Sequence, residues 1–142
     1  MQLATKVTVN FSSPAFLVLD NNDYLVTYND TLVYMTHWIG GTSVYQISFN
    51  KSWTVEPLPA TNTSTSGLIP AQVTWDSCGR MWVVVYGYGV RVYDAMGSTL
   101  LASWAVSTTL TAILLLDNYD LYLADYDNDK ILYYKPSFQC TS

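Results

Sequence analysis

The sequence predicts an all-β fold: a partial β-propeller of three consecutive, four-stranded antiparallel blades. Val, Ile, Tyr, Trp, Phe and Thr are concentrated in short runs that end at Asn, Asp or Gly clusters, as β-strands separated by turns do. No stretch of ten or more residues has apolar positions at helical spacing. A unit of three to four such runs also recurs, at a period typical of propeller blades.

The repeated unit begins with an apolar run that ends in aspartate. A polar corner and a second apolar run follow. Asp20, Asp76 and Asp117 align in this way, with spacings of 56 and then 41 residues. Asp and Asn favour turns because they tolerate left-handed backbone and hydrogen-bond their own turn. Hairpin corners are therefore expected at 20–23, 76–79 and 117–120.

The repeats divide a single domain, 1–142, into three blades. The expected parts are blade 1 at 15–55, an insertion at 56–70, blade 2 at 71–108, blade 3 at 111–142 without its outer strand, and a stray outer strand at 1–13. The insertion, "EPLPATNTSTSGLIP", reads as a surface segment that lengthens the first period. Its prolines Pro57, Pro59 and Pro70 are incompatible with central strands.

The last unit contains a second acidic pattern. Asp125, Asp127 and Asp129 alternate like the first ligands of a calcium loop. However, Lys130 stands where that loop requires glycine, and Pro136 where it requires the closing glutamate. We therefore interpret these aspartates as a hairpin corner rather than a metal site.

Composition and charge exclude several classes of function. The net charge is −5, with 6 basic and 11 acidic residues, so no basic surface for nucleic acid is expected. The most apolar stretch, 112–116, is too short for membrane insertion. His37 is the only histidine, and neither a nucleophile elbow nor a phosphate-binding loop occurs, so no catalytic residue is assigned.

Other features favour an extracellular, glycosylated protein. Cys78 and Cys140 could form one disulfide or remain two free thiols, and we expect the disulfide. This segment contains no signal peptide, so we expect it to follow a cleavage point or to lie within a longer protein. N-x-S/T sequons, which are candidate glycosylation sites, occur at Asn10, Asn29, Asn50 and Asn62.

Two units resemble the NHL-repeat β-propellers. "LYLADYDNDKILYY" contains Asp125, Asn128, Lys130 and Ile131 in the order of that family, and "VTWDSCGRMWVVVYGYGVRVYDAMG" supplies its basic–aliphatic pair. The "DSCG" corner is similar to that of secreted animal members. The first unit, "YNDTLVYM", lacks the basic residue. The resemblance covers about residues 15–142 and implies fold more than function.

The resemblance leaves two functional hypotheses. Lyases of this fold use several histidines around a central metal, which a chain with His37 alone does not provide. Calcium-dependent lactonase-like propellers hold their metal with Asp, Asn and Glu, and Asp20, Asp76 and Asp117 lie at comparable positions. We favour a secreted, non-enzymatic scaffold that binds a protein or carbohydrate ligand, with no cofactor. The alternative is a calcium-dependent hydrolase-like propeller that is active only when closed.

The abundant aromatic residues could form either a recognition surface or the packing between blades, and packing is the favoured interpretation. The residues concerned are Trp38, Trp53, Trp82, Trp104, Tyr86, Tyr88, Tyr126 and Tyr133.

Three blades are too few for a closed propeller, which needs about four to eight. The chain is therefore either part of a longer propeller, or half of a homodimer that closes a six-bladed one. In the second case "LATKVTVNF" would add to the strand "ILYYK" of the last blade, with Leu3, Val7 and Val9 buried on one side.

Overall fold

The computed structural model describes the backbone of residues 17–19, 24–29, 32–37, 41–50 and 52–140, and the side chains of 34, 36, 41–47 and 56–140. These residues form twelve β-strands and two single-turn 3₁₀ helices, with no α-helix among them. The predictions of an all-β chain and of about a dozen short strands are therefore confirmed.

The strands form three antiparallel sheets, each of which follows chain order. The first sheet contains five strands: β1 (Leu17–Leu19), β2 (Tyr24–Asn29), β3 (Leu32–His37), β4 (Tyr45–Asn50) and β5 (Ser52–Pro57). The second contains four: β6 (Ile69–Trp75), β7 (Met81–Tyr86), β8 (Gly89–Tyr93) and β9 (Leu100–Ala105). The third contains three: β10 (Leu110–Leu115), β11 (Leu121–Asp125) and β12 (Lys130–Tyr134).

The first sheet has one strand more than the predicted four. Glu56 and Pro57 belong to β5, and Pro70 belongs to β6, so the connection between the first two sheets is shorter than the predicted insertion. Pro57 and Pro70 both lie in edge strands, where one side of the strand has no neighbour and proline's missing N–H is tolerated. The exclusion of these prolines from central strands is confirmed.

The connection at 58–68 is not purely a surface segment. Leu58, Thr61 and Thr63 are buried in it. The hydroxyl of Thr61 accepts a hydrogen bond from the backbone N–H of Val44 at 2.9 Å and donates to the carbonyl of Leu58 at 2.7 Å. The interpretation of this stretch as a surface insertion is wrong for these three residues. Their burial fixes the connection against the first sheet.

The three sheets stack face to face through two apolar layers. One layer joins Tyr34 of the first sheet, and Val44 directly before β4, to Met81, Val83 and Val85 of the second sheet. The other layer joins the opposite face of the second sheet to the third, through Trp82, Val84, Leu110, Ile113 and Leu123. Strand β7 is buried on both faces, which explains why "MWVVV" lacks the polar alternation of a strand with one solvated face.

The predicted corners at 76–79 and 117–120 are confirmed, because they connect β6 to β7 and β10 to β11. Residues 20–23 lie outside the described residues, although Leu19 and Tyr24 on either side of them pair across β1 and β2. The proposed stray strand at 1–13 and the segment 3–11 also lie outside. Within the described residues the sheets do not close into a ring.

Candidate functional site

The corner between β6 and β7 is built around Asp76. The backbone N–H of Asp76 donates to the carbonyl of Arg80 at 3.1 Å, and Gly79 donates to the carbonyl of Asp76 at 2.9 Å. Gly79 takes a φ of +74°, which glycine adopts at little cost. The Oδ1 atom of Asp76 accepts the backbone N–H groups of Cys78 and Arg80, both at 3.0 Å. The carboxylate thus closes its own turn.

The second oxygen of Asp76 reaches into the seam between the second and third sheets. Oδ2 accepts Arg80 Nε at 2.7 Å and Trp82 Nε1 at 2.8 Å, and the side chain is only 1% exposed. Burial alone would raise the pKa of Asp76, but the hydrogen bonds from Trp82 and Arg80 and the charge of Arg80 outweigh it and lower this pKa. Four N–H donors therefore hydrogen-bond to the Asp76 carboxylate.

Arg80 links the second sheet to the third. Its Nη2 donates to the hydroxyl of Tyr119 and to the carbonyl of Phe138, both at 3.3 Å, and its guanidinium lies 4.2 Å from the centroid of the Phe138 ring. Burial would lower the pKa of Arg80, but the hydrogen bonds to Asp76 and Tyr119 raise it. The cation is therefore held between two sheets and the C-terminal segment.

The two cysteines meet beside this cation. Cys78 and Cys140 lie at disulfide distance, with their Cα atoms 5.9 Å apart, within the range that a disulfide requires. The backbone N–H of Cys140 donates to the hydroxyl of Tyr119 at 3.1 Å. The pairing predicted from the sequence thus agrees with the structure, and it joins the segment that contains Cys140 to the corner of Asp76.

Asp76, Cys78 and Cys140 form the one described group of His, Cys, Asp or Glu whose ligand atoms all lie within 4.8 Å of one another. Its chemistry does not suit a metal ion. The Asp76 oxygens already accept four hydrogen bonds, and the two cysteine sulfurs are paired with each other. The positive charge of Arg80 also contacts Cys140 Sγ. The group is better suited to joining the two sheets.

Aromatic side chains fill the rest of this seam. Trp82 is fully buried and stacks on Trp104 at 5.7 Å between ring centroids, and Phe138 packs on both. The packing interpretation is therefore correct for these two tryptophans. Tyr126 and Tyr133 remain exposed, at 72% and 57%. The side chains of Trp38 and Trp53 lie outside the described residues.

The corner between β10 and β11 has the same backbone hydrogen bonds as the corner of Asp76, but with different residues. Leu116 occupies the place of Asp76, because its N–H donates to the carbonyl of Asp120 at 3.0 Å. Tyr119 takes the left-handed place of Gly79, with a φ of +65°. The sequence alignment of Asp117 with Asp76 is therefore displaced by one residue, and Asp117 is exposed.

The corner between β11 and β12 is closed by Asp125. Its carboxylate accepts hydrogen bonds from Thr109 Oγ1 and from Asn128 Nδ2, and Asp125 is only 5% exposed. The bond from Thr109 is the main reason that the pKa of Asp125 is lowered. Asp127 and Asp129 are exposed in the turn itself, so the three aspartates form a hairpin corner as the sequence indicates.

The third sheet has one apolar face that points away from the second sheet. This open face consists of two cross-strand rows: Leu114, Tyr122 and Tyr133, then Ala112, Ala124 and Ile131. Leu114 is 53%, Ile131 69% and Tyr133 57% exposed. A groove of ≈460 Å³ runs along this side of the sheet. At the rim, Asp120 accepts Lys135 Nζ at 2.8 Å and the Tyr133 hydroxyl at 3.0 Å.

Other residues singled out by the sequence contribute less. His37 ends β3, but its side chain and Asp20 lie outside the described residues, as do Asn10 and the side chains of Asn29 and Asn50. Asn62 is exposed, and its Oδ1 accepts the N–H of Ser64 at 2.8 Å.

The contributions of Arg80, Tyr119 and Phe138 to this site were not predicted from the sequence. Of these three residues, only Arg80 could have been recognised from the sequence, because it follows Asp76 within the same turn.

Comparisons with known proteins supply no family for this chain: no family model, no curated protein and no solved structure matches it. The similarity to NHL repeats therefore rests on the motifs alone. In the part of the chain that the structure describes, no helix has the length and apolar character needed to cross a membrane.

Proposed function

We propose that this chain is an extracellular, non-enzymatic segment of an NHL-like β-propeller, and that it serves as a scaffold for binding protein. The observation that carries the proposal is the open face of the third sheet, an apolar surface at the end of a stack of sheets. Large exposed apolar patches on folded domains mark interaction sites. The face belongs to a firmly packed scaffold, as a binding surface requires.

The packing of the sheets supports the propeller part of the proposal. Blades of a propeller are antiparallel meanders that pack face to face in chain order. The second sheet has apolar side chains on both faces, with Met81, Val83 and Val85 on one and Trp82 and Val84 on the other. The third sheet repeats this two-faced composition, which is what a blade with a neighbour on each side needs.

The side chains on the open face favour a protein over a carbohydrate ligand. Sugar-binding sites need flat aromatic rings with a free face. Trp82 and Trp104 stack on each other within the seam, and the exposed Tyr133 packs against Tyr122 at 5.3 Å between ring centroids. The open face combines aliphatic side chains with tyrosine, and the ion pair of Asp120 and Lys135 lies at its rim. An apolar, tyrosine-containing centre with a polar rim is the composition of protein interfaces.

The alternative, a calcium-dependent lactonase-like enzyme, has less support. Of its three candidate calcium ligands, Asp76 and Asp117 lie within the described residues. The oxygens of Asp76 accept hydrogen bonds from Cys78, Arg80 and Trp82, so calcium would have to displace the Arg80 guanidinium and the Trp82 N–H. Asp117 is exposed, and within the described residues it is not part of the ligand group that contains Asp76.

Two measurements test the proposal. The first is thermal unfolding in calcium and in EDTA, together with a lactone hydrolysis assay. We expect equal midpoints and no hydrolysis, because the described aspartates are used in turns. A calcium-dependent rise of the midpoint, together with hydrolysis that Asp76→Asn abolishes, would instead establish the enzyme.

The second measurement places a photo-crosslinking amino acid, benzoylphenylalanine, at position 131 or at position 96 of the secreted chain. Ile131 and Met96 are equally exposed, at 69% and 68%, but only Ile131 lies on the open face. We expect a crosslinked protein of defined mass from position 131 and none from position 96. Equal labelling from both positions would refute binding through the open face.

A further inference from the structure

We infer that the protein bound by the open face is a second copy of this chain, and that the two copies close a six-sheet ring. This inference rests on the proposed function, since it names the partner for the same surface. In each contact, the open face of one copy would pack against the first sheet of the other. Two such contacts, related by a two-fold axis, would cover both ends of each stack.

The open face has the composition of a layer between sheets. The covered face of the third sheet contributes Ile113, Leu121 and Leu123 to the layer against the second sheet, and each is at most 4% exposed. The open face carries Leu114 and Ile131 at the alternate positions, yet these are more than half exposed. Successive residues of a strand point to opposite faces, so the third sheet is built for a neighbour on each side.

A matching face exists at the other end of the stack. Tyr34 lies in the layer between the first and second sheets and pairs with Gln46 of β4. Tyr45 and Ile47 flank Gln46 along the strand, so they lie on the face directed away from the second sheet.

Size and symmetry favour a second copy as the occupant. The described residues form three sheets, so two copies provide six, within the range of about four to eight that closed propellers use. A three-stranded face of five-residue strands measures about 14 by 17 Å. Two contacts of this size, counted on both copies, cover on the order of 1,000 Å², which reaches the lower bound for a specific interface.

The contact joins two different faces, so the kind of assembly that it produces depends on the angle between successive sheets. A head-to-tail contact closes into a ring if the rotation completes a turn, and otherwise continues into fibres. Three blades that each turn by one sixth of a circle would close with two copies. The inference therefore requires a dimer and not a polymer.

The test measures the mass of the full chain by light scattering over a range of concentrations. We expect a particle of twice 15.9 kDa for the native chain. Ile131→Glu places a carboxylate in both contacts of the dimer and should raise the dissociation constant by roughly 100-fold. Met96→Glu is the matched control, since Met96 is equally exposed but lies in the turn between β8 and β9, and it should leave the dimer unchanged.

A mixing experiment identifies the complementary face. Ile47→Lys should also prevent dimerisation. Mixed with Ile131→Glu, it should restore a heterodimer, because one contact then pairs Glu with Lys and the other contact is native at both positions.

Folding is monitored separately by near-ultraviolet circular dichroism, which reports the stacked Trp82 and Trp104. If the variants keep this signal while the native chain is a monomer or a polymer, the second-copy inference is wrong and the scaffold proposal is not affected. If the native chain lacks the signal, the stack itself is wrong. A mixture that fails to form the heterodimer would refute the first sheet as the complementary face.

Discussion

Replacing Asp76 with asparagine tests the seam between the second and third sheets. Asparagine keeps one carbonyl oxygen, which can still accept the backbone N–H groups of Cys78 and Arg80. Its NH₂ group cannot accept a hydrogen bond, so Arg80 Nε and Trp82 Nε1 both lose their acceptor. The guanidinium, whose side chain is 15% exposed, then has no counter-charge at the corner.

The expected loss is about 3 kcal/mol of unfolding free energy at neutral pH, since a hydrogen bond to a charged group contributes about 1.5–3 kcal/mol and a neutral one about 1 kcal/mol. With a urea m-value of about 2 kcal/mol/M, the midpoint should fall by about 1.5 M. Asp117→Asn is the control, because Asp117 is an exposed aspartate of the neighbouring corner. It should change the unfolding free energy by less than about 0.5 kcal/mol.

The loss of unfolding free energy caused by Asp76→Asn should become smaller as the pH falls. The pKa of Asp76 is lowered in the folded protein, so its contribution is complete above the unfolded pKa of about 3.9 and is lost as the pH falls through the folded pKa. Urea unfolding followed by tryptophan fluorescence at pH 7, 5 and 3 measures this. The native chain and Asp76→Asn should differ most at pH 7 and least at pH 3. A difference that stays constant with pH, or equal losses in Asp76→Asn and Asp117→Asn, would refute the reasoning.

Three further predictions concern other parts of the chain. Joint replacement of Cys78 and Cys140 by serine should cost about 4 kcal/mol under oxidising conditions in the chain-entropy model, and two free thiols in the unfolded oxidised protein would contradict the pairing. Gly89→Ala should cost more than about 3 kcal/mol in urea unfolding, because a Cβ at its φ of +152° would overlap the backbone of β9. Gly67→Ala, which meets nothing within 4 Å, should cost only about 1 kcal/mol, and equal losses would refute the overlap. Secretion from eukaryotic cells should add a glycan that Asn62→Gln removes, and an unchanged mass would exclude the exposed sequon.

Local turn chemistry explains what the sequence predicted well. Asp76 and Gly79 carry the side-chain acceptor and the left-handed backbone that their corner uses, so both are recognisable without tertiary information. Asp125 is similar, because Asn128 of its own turn donates to it. The run of β7 is a further local signal, although its burial was not predicted, since five consecutive apolar residues suit a strand that is covered on both faces.

The remaining features depend on contacts between distant residues. Tyr119 adopts a left-handed φ that sequence rules assign to Gly, Asn or Asp, at a cost of about 1–2 kcal/mol. Its buried ring and its hydroxyl, bonded to Arg80 and to the N–H of Cys140, offset that cost. The sequence does not reveal these partners, 39 and 21 residues away. The burial of Thr61 likewise depends on Val44, which no local pattern indicates.

Native-state hydrogen exchange tests the stacking of the three sheets most directly. Strand β7 is central in its sheet and covered on both faces, whereas β12 is an edge strand with exposed side chains. The amides of Met81–Tyr86 should therefore exchange slowest, at the rate set by global unfolding, and those of Lys130–Tyr134 much faster in dilute protein. Equal exchange rates in β7 and β12 would mean that the second sheet is not enclosed between the other two.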